Sequence, residues 1–158
     1  MKTNIGITEK DKKAVSAILN TLLSDEVVLY TKTRKYHWNV VGMQFNDLHK
    51  FFESQYEALN GIVDEVAERS RALGEIAFGT LSEFLRNTRL KENPSENPAA
   101  REMIVDLLSG HETLIRNLRA DLESCANAHH DAGTADFLTG LMESHEKMAW
   151  MLRAFLTA

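Results

Sequence analysis

The sequence predicts an all-α protein: a four-helix bundle with a short extra helix in the long connection between helices 2 and 3. Only two prolines and eight glycines occur among the 158 residues, so little interrupts long helices. Apolar side chains recur at three- and four-residue spacing through four long stretches, which is the helical period. Because 44% of the residues are hydrophobic, residues 1–158 can bury the core of a single domain.

The first two predicted helices span residues 8–38 and 45–73. Thr8 stands three positions before Asp11, the spacing of a side-chain cap at the start of a helix. A glycine directly after the second stretch, Gly74, is typical of a C-terminal stop. The segment between the two helices is short, which makes them neighbours in the bundle.

Residues 75–98 form a long connection that contains one short helix. Glycine and proline punctuate this segment, as they do in loops. Thr80 and Glu83 have the spacing of a capping box, and the apolar residues beside them suit a short amphipathic helix. A subunit interface is a natural place for this extra helix to pack.

The last two helices follow this connection. Asn97 and Pro98 predict an N-cap and a first helical position for the third helix, which runs to about residue 128. Residues 129–133 are predicted to form a turn. Thr134 is predicted to cap the last helix.

Composition and charge exclude several classes of protein. A single cysteine, Cys125, cannot form an internal disulfide, and we expect it to be a small packing residue. The sequence shows no basic-then-apolar leader and no apolar run approaching about 18 residues. We therefore expect a cytoplasmic protein without a membrane span. The formal charge of −5 at pH 7 disfavours nucleic acid and anionic lipid as partners and attracts cations.

Five potential metal ligands lie on or beside the second predicted helix. His49 and Glu53 are four residues apart, as are Asp64 and Glu68, so each pair can face one ion from adjacent turns. His37 lies just upstream. The helical rise separates Glu53 from Asp64 by about 16 Å, whereas metal–ligand bonds are about 2.0–2.2 Å long. One chain therefore offers two half-sites that cannot meet.

A second copy of the chain can complete both half-sites. If the same helix packs antiparallel across a two-fold axis near residues 58–59, Glu53 comes opposite the partner's Asp64, and symmetry builds two sites. Imidazole with carboxylate suits iron, manganese or zinc, and a carboxylate-rich set with some histidine favours iron that cycles between Fe(II) and Fe(III). The alternative is a set of surface ion pairs, such as Glu68 with Arg69 or Asp64 with a lysine.

Several segments together resemble one known family, the Dps family of ferritin-like miniferritins (DNA-binding proteins from starved cells). The resemblance is carried by YHWNVVG at 36–42, Phe45, His49, Glu53 and DEVAER at 64–69. The last helix is also similar, at residues 133–136 and 147–152. The resemblance thus covers nearly the whole chain.

The resemblance implies a hollow homo-dodecamer of ferritin-like four-helix subunits, with a ferroxidase centre at each two-fold interface. It implies that one subunit supplies His37, His49 and Glu53 to a centre. Its partner supplies Asp64 and Glu68. The best-known members have aspartate at the position of Glu53, and the extra methylene of glutamate would shift the occupancy of the weaker iron position.

The resemblance also implies a mechanism. Fe(II) enters through acidic three-fold pores, is oxidised preferentially by hydrogen peroxide, and is stored as ferric mineral, which protects against oxidative stress. Zinc is a substitute at the centre. Asp131 and Asp136 match the place where the family lines its pore, with an ordinary turn or cap role as the alternative. Trp38, beside a ligand, is either a trap for a stray oxidising equivalent or a packed interface aromatic.

The remaining histidines are expected to have no ligand role, and the basic residues do not favour DNA binding. We expect His111 and His145 to be interface or surface polar residues, and the histidines at 129–130 to be an exposed loop pair. We expect weak or absent DNA binding at neutral pH, because only Lys2 is basic among the first seven residues and the net charge is negative. Two alternatives to a ferroxidase stay open: a non-enzymatic DNA-compacting shell, and a structural helical oligomer with vestigial ligands.

Overall fold

The structure, a computed structural model, describes residues 3–94 and 97–157. Over these ranges the secondary structure is entirely helical, which confirms the predicted fold class. The helices are α1 (Glu9–Asn39), α2 (Phe45–Ala72), α3 (Leu81–Asn87), α4 (Ala100–Glu123) and α5 (Ala132–Ala154), and a π-helical turn, Ser124–Ala128, extends α4. Among the described residues, no helix combines the length and apolar character that crossing a bilayer requires.

Two helical pairs make up the bundle. Helix α1 packs against α2 and α4 packs against α5, and the pairs meet through α1–α4 and α2–α5 contacts. The apolar stripes that predicted the helices meet in one core, where Leu19, Phe52, Leu59, Leu107 and Leu138 are completely buried. Burying one such side chain contributes roughly 1.5–3 kcal/mol, so the shared core holds the four long helices in place.

Two predicted helix caps are confirmed. The Thr8 side chain accepts a hydrogen bond from the backbone N–H of Asp11 at 3.2 Å. Thr80 and Glu83 form a complete capping box at the start of α3, because each side chain accepts from the backbone N–H of the other residue. These bonds satisfy N–H groups that have no partner within a helix.

Two predicted helix starts are wrong. The chain stays extended through Ala99, with ψ of 160°, so α4 begins at Ala100 and Asn97 lies too far before it to cap it. Helix α5 begins at Ala132, because Asp131 is its cap and accepts from the backbone N–H of Thr134 at 2.9 Å. The predicted cap Thr134 therefore lies inside the first turn, and the predicted turn at 129–133 is correspondingly shorter.

Buried polar groups of α1 hold the long connection against the bundle. The Asp25 carboxylate is fully buried and accepts from the Thr88 hydroxyl at 2.9 Å and from the Arg89 backbone and side chain at 2.5 and 2.7 Å. The Asn20 side chain bonds backbone groups at residues 76 and 78. Helix α3 is thereby held beside α1, while Leu81 and Leu85 remain exposed on its outer side.

The structure corrects the placement of two histidines. His111 on α4 and His145 on α5 are completely buried, whereas we expected interface or surface positions. Their Nδ1 atoms lie 2.9 Å apart, and Nε2 of His145 lies 2.8 Å from a carboxylate oxygen of the buried Glu26 on α1. The sequence could not show this, because the three groups come from three helices and become partners only after packing.

Burial lowers the pKa of His111 well below its ordinary value of 6.5, and the neighbouring His145 adds to the shift. The folded chain therefore keeps this imidazole neutral at a pH at which the unfolded chain protonates it. The resulting contribution to stability is complete above about pH 6.5. It is lost as the pH falls from there toward the pKa of the folded state.

We expect the free energy of unfolding, measured by urea denaturation at one protein concentration, to fall between pH 7 and pH 5.5. This group alone can contribute up to about 1.4 kcal/mol per pH unit. The variant His111→Gln removes the titrating ring, so its stability should depend less on pH. His130→Gln, which removes an exposed imidazole, is the control and should keep the wild-type slope. If the free energy of unfolding depended equally on pH in all three proteins, the assignment of this dependence to His111 would be wrong.

Candidate metal centre

Four of the five predicted ligands lie on one uninterrupted helix, α2, and His37 lies in the last turn of α1. Eleven residues separate Glu53 from Asp64, which corresponds to about 16 Å along the axis. Within the described ranges, no three His, Cys, Asp or Glu side chains are placed to hold one ion. The two halves of the predicted centre therefore stay apart in a single chain, as the spacing indicates.

His37 and His49 hold each other in a reciprocal arrangement. Nδ1 of His37 lies 2.7 Å from the backbone oxygen of His49, and Nδ1 of His49 lies 2.9 Å from the backbone oxygen of His37. The two rings stack with centroids 3.8 Å apart. Because a carbonyl oxygen only accepts, each Nδ1 carries the hydrogen, and each neutral ring keeps its Nε2 lone pair for a metal.

The corner between α1 and α2 makes this arrangement possible. Gly42 adopts φ of +115°, a conformation that side-chain-bearing residues rarely adopt, and it allows the chain to reverse within residues 40–44. The last turn of α1 then lies beside the first turns of α2. Phe45 also stacks on the His49 ring, with the ring centroids 5.1 Å apart.

Glu53 completes the first half-site together with a tyrosine that sequence reasoning missed. The hydroxyl of Tyr56 donates to Oε1 of Glu53 at 3.3 Å, and the Tyr56 ring meets His37 edge-on at 5.2 Å. Burial, and then the carboxylate of Glu53, raises the pKa of Tyr56, so the phenol keeps its proton. Tyr56 lies on the apolar stripe of α2, which favours a packing role, and its i, i+3 spacing from Glu53 was the available signal.

Asp64 and Glu68 form the second half-site. Both side chains are exposed, and neither makes an ion pair among the residues that the structure describes. Arg69, the predicted surface partner of Glu68, instead donates to Thr134 at 3.0 Å and to Asp131 at 3.3 Å. Two exposed carboxylates, four residues apart, thus face solvent on α2.

Comparisons with known proteins show the family of this chain. The chain matches the model of the ferritin-like domain family over residues 16–158. It is 46% identical over 155 residues to an uncharacterized low temperature-induced protein of Nostoc sp., covering 98% of this chain and 87% of that protein. It is 36% identical over 144 residues to DNA protection during starvation protein 2 of Bacillus anthracis, covering 91% of this chain and 97% of that protein. The chain belongs to the Dps family.

A solved structure supports the same membership. The crystal structure of a Dps protein from Vibrio cholerae O1 has a TM-score of 0.91 to this chain at 33% identity, covering 99% of this chain and 98% of that one. That protein is described as a member of a broad superfamily of ferritin-like diiron-carboxylate proteins. Membership in the Dps family supports iron storage and protection as the broad class of function of this chain.

Trp38 projects into solvent beside the first half-site of this Dps protein, with 64% of its surface exposed. The guanidinium of Arg34 lies 5.0 Å from the centre of the indole and 5.5 Å from the centre of the Tyr56 ring. A cation beside an aromatic ring opposes removal of an electron from it, because the charges repel. The packed interface role predicted for Trp38 needs a second subunit, since the side chain is uncovered in one chain.

The two predicted pore carboxylates have different surroundings. Asp131 is 3% exposed, and its carboxylate accepts from the backbone and hydroxyl of Thr134 and from Arg69. It therefore takes the cap role that was the alternative to the pore. Asp136 is exposed in the first turns of α5, so its carboxylate is accessible to cations in solvent.

The two histidines of the turn before α5 have different surroundings. His130 is exposed, as predicted, whereas Nδ1 of His129 lies 3.2 Å from a carboxylate oxygen of Asp11. Cys125 is fully buried, and burial raises the pKa of its thiol to about 12. This confirms a packing role, since an uncharged buried thiol is a poor ligand and nucleophile.

Asp131→Ala should lower the free energy of unfolding by about 1–2 kcal/mol, because it removes the cap of α5 and leaves Arg69 without its carboxylate. Asp136→Ala, which removes an exposed carboxylate from the same helix, should change stability by less than about 0.5 kcal/mol. Urea denaturation at fixed protein concentration measures both values. Equal losses in the two variants would contradict the cap assignment.

Proposed function

We propose that this protein is a ferroxidase that oxidises Fe(II) with hydrogen peroxide at centres shared between two subunits and stores the ferric product inside a hollow dodecamer in the cytoplasm. One observation carries the proposal. His37 and His49 are locked with both Nε2 lone pairs available beside Glu53, while the carboxylates that would complete the centre lie about 16 Å away on the same helix.

Two α2 helices that pack antiparallel need only one register to bring both pairs of ligands together, which supports the shared centre. The register that places Glu53 opposite the partner's Asp64 also places His49 opposite the partner's Glu68, because both pairs are centred on the same point of the helix. At about 100° per residue, these four positions fall within an arc of about 100°. One two-fold axis therefore aligns both pairs at once and generates two equivalent centres.

The donor set suits iron as a substrate that changes oxidation state. Carboxylate oxygens favour Fe(III), while the two imidazoles retain Fe(II) until oxidation. Each Fe(II) supplies one electron, and reduction of hydrogen peroxide to water requires two. Two Fe(II) ions at one centre therefore complete the reduction without releasing hydroxyl radical. Zinc binds the same donors but has no accessible redox change, so it would occupy the centre and inhibit oxidation.

The first experiment is anaerobic loading with Fe(II), followed by hydrogen peroxide in the presence of a hydroxyl-radical trap. We expect ferric absorbance to rise fast, at a stoichiometry of about two Fe(II) per peroxide, with little trapped radical. His49→Ala and Asp64→Asn should each abolish the fast phase, because each removes a ligand from every centre.

Mixing the two variants tests whether the centres are shared. After dissociation and reassembly together, a centre that pairs the intact first half of one variant with the intact second half of the other has all five ligands. Part of the fast phase should then return. If both single variants keep wild-type oxidation, the ligand assignment is wrong; oxidation no faster than in buffer for the wild type would favour a structural shell.

We also expect this protein to bind DNA weakly or not at all at neutral pH. Each chain carries a formal charge of −5, so an assembly of many copies repels the phosphate backbone. An electrophoretic mobility shift at moderate salt and pH 7.5 should show free DNA at micromolar protein, beside a basic DNA-binding protein as positive control. Retardation under these conditions would favour the DNA-compacting shell instead.

A further inference from the structure

We propose that Tyr56 is a positioning residue that fixes the carboxylate of Glu53 and thereby sets the affinity of one of the two metal positions in a centre. The inference rests on the proposed function, since it concerns a ligand of that centre. Tyr56 is not itself a ligand here. It acts on Glu53 through its hydroxyl group and on His37 through its ring edge.

The hydroxyl of Tyr56 limits how Glu53 can bind a metal. The phenol donates to Oε1 of Glu53 at 3.3 Å. A carboxylate has two oxygens, and the one that accepts from the phenol is turned toward the ring. Oε2 would then be the better placed oxygen for an ion, and Glu53 would offer it from a fixed direction. Loss of a group that orients a ligand in this way typically costs about 10–100-fold in metal affinity.

Tyr56 can hold Glu53 in place because its own ring is restrained. It meets His37 edge-on at 5.2 Å and Tyr30 edge-on at 6.1 Å, and the guanidinium of Arg34 lies 5.5 Å from its centre. Arg34 is in turn anchored, since it donates to the Tyr30 hydroxyl at 2.6 Å. A swing of the phenol would break these contacts, so the position of the hydroxyl is set before any metal binds.

The hydrogen bond from Tyr56 suits a glutamate at position 53 better than an aspartate. Glutamate has one more rotatable bond than aspartate, and without a partner it would lose that freedom only when the metal binds. Aspartate at this position would withdraw the carboxylate by about 1.5 Å, the length of one carbon–carbon bond, and would leave the phenol without its acceptor. Glu53 and Tyr56 therefore act as one unit, with the tyrosine one helical turn beyond the ligand.

Cobalt(II) titration of the assembled protein under anaerobic conditions tests the inference without any turnover. Visible absorption of the bound ion reports each position. Tyr56→Phe keeps the ring and loses only the hydroxyl, and it should weaken Co(II) binding at one position by about 10-fold or more while the other position is unchanged. Thr21→Val also loses only a hydroxyl, one that donates to the Ala17 carbonyl. Thr21 lies sixteen positions before His37 on α1, so both affinities should stay at the wild-type value.

A double-mutant cycle tests whether Glu53 and Tyr56 act together. Glu53→Asp should weaken the same position, and adding Tyr56→Phe to it should cause no further loss, because the bond is already broken. Additive losses would mean that the two residues act independently and would overturn the inference. Equal binding by wild type and Tyr56→Phe, or an equal loss in Thr21→Val, would overturn it as well.

The outcomes separate this inference from the proposed function. If wild-type protein binds no Co(II), or if binding survives His49→Ala, the proposed centre itself is wrong. If wild-type protein binds two Co(II) ions per centre and Tyr56→Phe does the same with equal affinities, the centre stands and only the role of Tyr56 fails.

Discussion

The rise of an α-helix is the constraint on which the candidate centre depends. Helix α2 spans Phe45–Ala72 without a break, so the distance between its two ligand pairs is set by about 1.5 Å per residue and cannot relax. A flexible segment could fold back and bring all five ligands to one ion in a single chain. A rigid helix cannot, so a centre that used all five residues would require a second copy of the chain.

The rest of the fold keeps that helix and its neighbour in register. The α1–α2 corner places His37 against His49, and the exchange of hydrogen bonds between side chains and backbone carbonyls fixes both rings. Asp25 and Asn20 hold the long connection against α1. The buried contact of His111 with His145 links α4 to α5, and His145 reaches Glu26 on α1. Polar bonds in a dry core are costly to leave unmade, so they favour one arrangement of the helices.

Much of the candidate site could be predicted from the sequence, because ligand spacing along a helix is a local property. The i, i+4 pairs at His49 and Glu53 and at Asp64 and Glu68 follow from the helical period alone. Tyr56 was not recognised, because a tyrosine on an apolar stripe is usually a packing residue, and its hydrogen bond to Glu53 depends on side-chain rotamers. The cap of α5 was misplaced because Asp131 and Thr134 both had acceptable spacing, and the tertiary contact of Asp131 with Arg69 favours Asp131. The start of α4 was misplaced because Asn97 and Pro98 fit a helix start locally, whereas the chain stays extended through Ala99.

By itself the sequence determined the helices, the order in which they occur, the two half-sites and the distance between them, since all of these depend on near neighbours along the chain. It also determined that the half-sites of one chain cannot meet. Only the tertiary structure decided which ring nitrogen of His37 and His49 bonds a backbone carbonyl, which carboxylate is a buried cap, and which histidines are in the core. Those outcomes depend on groups that are distant in the sequence and become partners only when the helices pack.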